Sequence, residues 1–245
     1  MRNFKLTIEY DGSRYCGWQR QNNDPTIQGE IEQALMKMIG LKISLIGSGR
    51  TDAGVHAYGQ VANFKCDTKL NAEDFLGGLN SLIPDDVIVI SCDEVDETFH
   101  ARYNVKSKTY VYRILNRSRP AAIFRQYAWH IRKKLNLEPM RTAITHLIGC
   151  YDFKAFEGAG SPRSHTNRCV IKANLFEEKN GYLVFEIEAD GFLRFMVRNI
   201  VGTLVEVGLG KITPADFKRI LDSKDRSQAG VTAPARGLFL KEVNY

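Results

Sequence analysis

Three glycines, an arginine and a carboxylate are concentrated in one short loop of the sequence. The loop covers residues 47–54, with Arg50 and Asp52 two positions apart, and apolar runs at 43–46 and 60–64 predict a strand on either side. Glycine lets a ligand approach the backbone closely, and in extended backbone two residues that far apart share one face. An arginine there would keep the acid ionised and attract phosphate. The plainer alternative is an aspartate that caps a turn beside a surface arginine.

Two familiar glycine-loop signatures do not fit this loop. A phosphate-binding P-loop ends in Gly-Lys-Ser/Thr, and the loop contains no lysine. A dinucleotide-binding fingerprint needs a glycine five residues after Gly47, where Asp52 stands. What remains is a single acid beside a fixed positive charge.

The composition is that of a globular protein with a basic excess. The chain has 245 residues, 44% of them hydrophobic, and a net charge of +6, which favours a polyanionic partner. The five cysteines are scattered, without a Cys-x-x-Cys pair, so we expect neither a disulfide framework nor a zinc site. No apolar run approaches the ~20 residues of a membrane span, and no signal peptide opens the chain. We therefore expect a cytoplasmic protein with no membrane association.

Hydrophobic periodicity predicts an α+β fold that would hold the loop between strands. Strands are predicted at 4–10, 87–90, 110–114 and 237–245; helices are predicted after Thr26, Asn71, Asn136 and Thr213 and over 195–207, with a hairpin at Asn180-Gly181. Strands and helices alternate with hairpin-type links in both halves of the chain. We predict an N-terminal domain over 1–105 that carries the Asp52 loop and a C-terminal domain over 106–245. Two such halves with abutting antiparallel sheets would form a central cleft.

The string Gly-Arg-Thr-Asp-Ala-Gly-Val-His-Ala at 49–57 closely resembles the active-site motif of the tRNA pseudouridine synthase A family. The resemblance extends over nearly the whole chain and implies the pseudouridine synthase fold. In the family the aspartate of this motif is the catalytic carboxylate, and that role falls on Asp52.

Two further segments resemble family motifs. Residues 108–113 are similar to the second motif, whose tyrosine contacts the target base, and this implies Tyr110 rather than Tyr112. Residues 191–199 resemble the third motif, whose arginine pairs with the catalytic acid, and this implies Arg198. Without the resemblance, Tyr110 fits a half-buried strand tyrosine and Arg198 fits a solvated basic helix face.

The resemblance implies an isomerase that converts uridine to pseudouridine in tRNA. Related members act on positions 38, 39 and 40 of the anticodon stem-loop, as homodimers and without a cofactor. Asp52 would promote cleavage of the glycosidic bond, either as a nucleophile or by removing a proton from the sugar, and both routes stay open. Tyr110 would stack on the base and accept the C5 proton.

RNA contacts are predicted for five residues: Arg50, Tyr110, Arg20, His56 and Arg102. Basic and aromatic segments around them suit phosphate contacts, which position RNA without reading its sequence. His56 fits either an RNA contact or a structural role, and no third ligand converges by sequence, so we predict no metal.

Two other functions remain possible on the same scaffold. One is a non-catalytic RNA-binding or chaperone protein, and the other is the same chemistry on another RNA site. A metal-dependent nuclease is a distant third, because a cluster of carboxylates is missing from the sequence.

Overall fold

The computed structural model describes residues 1–160 and 165–245, which form two compact units. The first unit contains residues 1–106 and 239–245, and the second contains residues 107–238. The predicted boundary at residue 105 lies beside this division. The closing strand, however, belongs to the first unit and not to the second as predicted. Alternating apolar residues indicate a strand but do not show which sheet it joins.

Among the described residues the chain forms ten strands and five α-helices. The strands are β1 (Arg2–Tyr10), β2 (Ile46–Gly47), β3 (His56–Cys66), β4 (Val87–Val95), β5 (Ser107–Asn116), β6 (Trp129–Ile131), β7 (Gly149–Asp152), β8 (Asn167–Glu177), β9 (Tyr182–Ala189) and β10 (Leu238–Asn244). The helices are α1 (Ile27–Ile39), α2 (Ala72–Leu82), α3 (Leu137–Thr145), α4 (Met196–Gly208) and α5 (Pro214–Ser223). The predicted α+β class is confirmed.

The sheet of the first unit has the strand order β4-β1-β3-β10, with β2 paired to β3. The pairs of β1 with β3 and β4 are antiparallel, whereas β10 lies parallel to β3. The alternating residues Phe4, Leu6 and Ile8 are completely buried. The Phe4 ring packs against Phe64 of the sheet and Phe75 of α2, with centroids 5.4 and 4.8 Å away. This core fixes the strands that flank the Asp52 loop.

The sheet of the second unit has the order β5-β9-β8-β7, with the short β6 parallel to β5. The hairpin between β8 and β9 turns through Asn180 and Gly181, both at positive φ of 63° and 80°, as the Asn-Gly pair predicted. Helix α4 ends at Gly208, one residue beyond the predicted range of 195–207. The left-handed residue that follows the helix is Gly210, at φ 70°.

One disulfide corrects the cysteine prediction. Cys150 in β7 and Cys169 in β8 stand directly opposite each other and are bonded. The bond depends on strand register, and the 19-residue spacing by itself carries no recognised motif. Three thiols are free, and burial raises the pKa of the Cys92 thiol to about 12, which disfavours its reactive thiolate form.

In the part of the chain that the structure describes, no helix combines the length and apolarity that a membrane crossing requires.

Candidate active site

Buried polar groups of β3 hold the first half of the Asp52 loop. The Ser48 backbone N–H donates to Val61 O at 2.7 Å, and the Ser48 hydroxyl donates to Gln60 Oε1 at 2.6 Å. The same Gln60 amide donates from Nε2 to Gly49 O at 3.1 Å. Buried hydrogen bonds that satisfy both ends of one side chain fix its geometry. Gln60 therefore locks the loop onto the strand that follows it.

The second half of the loop closes in a tight turn after Asp52. The Val55 N–H donates to Asp52 O at 3.1 Å, and Gly54 takes the positive φ of 75° that the turn requires. The hydroxyls of Tyr10 and Thr51 share a buried hydrogen bond of 2.7 Å. Burial raises the pKa of Tyr10, so this phenol stays neutral. Asp52 is half-buried on a backbone that is held on both sides.

A second loop, residues 15–21, packs against the Asp52 loop at two glycines. The backbone N–H of Trp18 donates to the backbone carbonyl oxygen of Thr51 at 3.1 Å. Gly17 has φ 97°, and a Cβ added there would stand 2.6 Å from Thr51 O. A Cβ added at Gly47 would stand 2.5 Å from the Trp18 indole nitrogen. Only glycine allows either approach.

Arg50 and Arg20 are both exposed, but Arg50 bonds to a neutral group whereas Arg20 forms an ion pair. Arg50 Nε donates to the neutral amide oxygen of Gln19 at 2.9 Å. Arg20 Nη1 instead donates to the buried carboxylate of Glu32 at 2.6 Å, which offsets its charge. Arg50 is therefore the stronger candidate of the two for a phosphate. The RNA contact of Arg20 stays a prediction.

His56 does not suit the RNA contact that we predicted for it. The residue is only 1% exposed, and its ring stacks on Phe239 with centroids 4.6 Å apart. Its Nδ1 atom lies 3.1 Å from the Gly12 nitrogen and 3.0 Å from an Asp11 carboxylate oxygen. An imidazole covered in this way offers no surface to RNA, so the structural alternative is the better one. Arg102, by contrast, is exposed, with its guanidinium 5.6 Å from the ring centroid of exposed Tyr103.

In the second unit, Tyr110 and Tyr112 lie two positions apart on β5 and so share one face. Tyr112 is fully buried and donates its hydroxyl hydrogen to Pro234 O at 2.8 Å, and burial raises its pKa. Tyr110 is 8% exposed and meets Phe192 edge-on, with centroids 4.9 Å apart. The hydroxyl of Tyr112 is thus committed to the backbone, and the base contact of Tyr110 stays a prediction.

Arg198 lies in the first turn of α4 and is fastened to a neighbouring backbone segment. Its Nε donates to Ala233 O at 2.7 Å, and its own carbonyl accepts the Ala233 N–H at 3.1 Å. Phe195, left-handed at φ 61°, places its ring 4.8 Å from the guanidinium carbon. Arg194 is exposed and donates to Ala159 O at 2.8 Å, as expected for a surface arginine.

Two positioning residues were missed by sequence reasoning. Ala233 and Pro234 are neighbours whose carbonyl oxygens hold Arg198 and Tyr112 respectively. A backbone carbonyl accepts a hydrogen bond whatever its side chain is, so the residue types gave no signal.

The site residues that the structure describes offer no metal centre, since no group of three or more His, Cys, Asp or Glu side chains is placed to hold one.

Comparison with known proteins gives the family directly. A family model described as tRNA pseudouridine synthase matches residues 6–104 and 143–245. The tRNA pseudouridine synthase A of Thermoanaerobacter sp. (strain X514) is 48% identical over 245 residues, covering 100% of both chains. The chain belongs to the tRNA pseudouridine synthase A family. The protein of the same name from Clostridium acetobutylicum is 46% identical over the full length of both chains.

As a pseudouridine synthase, the protein is an isomerase. The two ranges matched by the family model contain Asp52 and Arg198, whereas Tyr110 lies in the segment between them, 105–142. A solved archaeal box H/ACA sRNP Nop10-Cbf5 complex aligns with 97% of this chain and 46% of that one, at 10% identity and a TM-score of 0.36. The roles of individual residues in the pseudouridine synthase remain predictions.

The close approach at Gly17 provides a test of how the loop is positioned. We expect Gly17→Ala to lower kcat with little change in KM, because a Cβ would push Thr51 and the adjoining Asp52 backbone outward. The substitution should also cost about 1–3 kcal/mol of folding free energy, since it adds strain at positive φ. Steady-state kinetics and thermal unfolding measure the two effects.

Gly40→Ala is the matched control. Gly40 also has positive φ, 75°, but a Cβ there meets no described atom within 4 Å. It should cost about 1–2 kcal/mol and leave kcat unchanged. Equal kcat values for the two variants would contradict the positioning of Asp52 by the 15–21 loop.

Proposed function

We propose that the protein isomerises uridine to pseudouridine in tRNA, at positions 38, 39 and 40 of the anticodon stem-loop. The observation that carries the proposal is the 49–57 string, which forms a loop held by buried hydrogen bonds with Asp52 half-buried at its turn. A rigid sheet that presents one acid on a fixed loop suits a reaction that depends on placing a single carboxylate. Full-length relatives named tRNA pseudouridine synthase A support the same substrate.

Asp52 is the proposed catalytic carboxylate. The reaction breaks the bond between N1 and C1′ and forms one between C5 and C1′. The proton lost from C5 is balanced by one gained at N1, so no atoms are added and no cofactor is required. The target nucleotide has to leave its stack to reach a half-buried acid. Arg50, exposed and two residues away, is the proposed group that fills the vacated space.

Tyr110 and Arg198 are the proposed partners in catalysis. A phenol can stack on a uracil face and exchange a proton through its hydroxyl, which suits Tyr110 for removing the C5 proton. A fixed guanidinium favours the ionised form of a carboxylate, which is the role predicted for Arg198. Two hydrogen bonds join Arg198 to Ala233: one from the guanidinium Nε and one to the Arg198 carbonyl. Together they hold both the guanidinium and the backbone of Arg198 against this segment.

The remaining contacts concern the RNA backbone and the assembly. Arg50, Arg20 and Arg102 are exposed and are proposed to bind phosphates. We further propose that the enzyme acts in the cytoplasm, as a homodimer.

Mapping of pseudouridine in tRNA tests the proposal. In tRNA from cells lacking the protein, we expect uridine to replace pseudouridine at positions 38–40, and the purified protein should restore it in unmodified transcripts. Unchanged tRNA together with a lost pseudouridine in another RNA would support the same chemistry at a different site. Binding of tRNA without any isomerisation would support the non-catalytic alternative.

A further inference from the structure

A cavity of about 440 Å³ lies within the second unit, and its lining includes none of the three motif residues Asp52, Tyr110 and Arg198. Its lining comes largely from the linker between β5 and β6, together with Leu115, His130, Tyr182 and Arg236. Its volume falls in the range of small-ligand sites. Most of its lining also belongs to the segment 105–142, which the family model does not match.

The cavity combines aromatic rings with an apolar wall. Phe124 and Tyr182 both contribute to the lining, and buried Leu115 and Ala128 complete the wall. Phe124 is 63% exposed and stands at φ 60°, so the chain presents a large ring to solvent in a backbone conformation that phenylalanine rarely adopts. Exposed aromatic rings are the groups on which nucleobases stack.

The polar side of the cavity is cationic. Arg125 and Arg236 are exposed and line it, and Arg236 Nε donates to Ala128 O at 3.2 Å, which holds this side chain at the rim. The sequence from 117 to 137 contains six Lys or Arg residues and no Asp or Glu. Among the described residues that line the cavity, none is acidic. Planar guanidinium groups in such a setting suit a phosphate.

We propose that this cavity binds one nucleotide of the tRNA, distinct from the uridine that reacts. Its base lies against Phe124 and Tyr182, and its phosphate meets Arg125 and Arg236. The proposal rests on tRNA being the substrate. It goes beyond phosphate contacts along the linker, because rings and cations in one concave site accept a base and its phosphate together.

A second copy of the chain is the competing occupant, since Ile123 beside Phe124 is also apolar and 73% exposed. The positive charge of residues 117–137 disfavours a second copy as the occupant. In a two-fold contact each patch meets its own copy, and two segments with six positive charges and no negative ones would repel each other. A polyanion has the complementary charge.

A titration with adenosine 5′-monophosphate tests the site directly. We expect saturable shifts of backbone amide resonances within 121–130 in the full-length protein. Adenosine alone or inorganic phosphate alone should bind roughly tenfold more weakly, because each lacks one of the two contacts, at about 1.4 kcal/mol per factor of ten. Absence of shifts in this segment at millimolar nucleotide would overturn the proposal.

Two pairs of variants test the site in the presence of tRNA. Phe124→Ala should raise the Kd for tRNA about tenfold, as the loss of one stacked base predicts, while Ile123→Ala, next to it and as exposed, should leave it unchanged. Arg125→Gln should weaken binding more than Arg119→Gln, which removes the same charge from the same exposed segment but does not line the cavity.

The outcomes separate this proposal from the proposed function. If wild-type protein modifies tRNA and the members of each pair behave alike, only the cavity proposal fails. If wild-type protein neither binds nor modifies tRNA, the proposed function fails first. A lower mass in solution for Phe124→Ala, measured by light scattering, would make the cavity an interface between copies and overturn the nucleotide assignment.

Discussion

Replacing Asp52 with asparagine is expected to lower pseudouridine formation by about a thousandfold or more while tRNA still binds. The substitution keeps the size of the side chain and removes its charge, so it removes both nucleophilic and proton-accepting chemistry. The hydrogen bonds that Ser48, Thr51 and Gln60 contribute to the loop do not depend on the Asp52 charge and should persist in the variant. Removing a negative charge near a polyanion should leave affinity equal or slightly higher.

The measurements are single-turnover isomerisation and tRNA affinity at fixed salt. Asp24→Asn is the control, because Asp24 is an exposed acid of the same unit that lies outside the Asp52 loop. It reports the effect of one lost charge on RNA binding. Isomerisation by Asp52→Asn at the wild-type rate would remove Asp52 from the chemistry, and loss of both activity and binding would point to a binding role instead.

Local features of the fold were predictable because neighbouring residues determine them. Thr26, Asn71 and Thr213 each begin a helix and accept the backbone N–H three residues on, at 3.3, 3.0 and 3.1 Å. Asn71 and Thr213 also form the reciprocal bond of a capping box, because the backbone N–H of each donates to the side chain of the acid three residues on. Gly40 follows α1 in the left-handed conformation. Each signal lies within four residues of its effect.

Features that depend on distant partners were not predictable in the same way. The placement of the closing strand in the first unit, the Cys150–Cys169 bond and the burial of His56 each involve groups far apart in sequence. His56 illustrates the reason. Its position inside a motif indicated function, but the stacking of its ring on Phe239, 183 residues later, decides its exposure.

The candidate site shows the same division. The acid and its glycines were recognisable from the 49–57 string, and that string left a turn-capping aspartate open until the family was considered. The groups that hold the site in place were not recognisable. Gln60 looks like an ordinary strand residue, and its role follows only from a completely buried amide that bonds to both Ser48 and Gly49. Positioning depends on burial, which the residue type does not reveal.

Tyr110→Phe is expected mainly to lower the isomerisation rate, whereas Tyr112→Phe is expected mainly to lower the stability of the fold. Each substitution removes one hydroxyl from the same face of β5. Tyr110→Phe should lower isomerisation by about a hundredfold or more, the usual contribution of a general base, a loss far larger than any accompanying change in thermal unfolding explains. Base stacking survives, because the ring remains, so tRNA affinity should hold.

Tyr112→Phe should instead destabilise the protein by about 0.5–1.5 kcal/mol, because the part-buried carbonyl of Pro234 loses its 2.8 Å hydrogen bond and keeps only the 3.5 Å bond from the Gly237 N–H. Its activity should stay within about tenfold of the wild type, a loss that would correspond to less than about 1.4 kcal/mol. Some loss is expected because the adjoining Ala233 carbonyl holds Arg198. Thermal unfolding and isomerisation rates of both variants give a crossed pattern that a general loss of folding cannot produce. If Tyr112→Phe loses activity at normal stability and Tyr110→Phe does not, the base contact belongs to Tyr112 and the assignment made from the second motif is wrong.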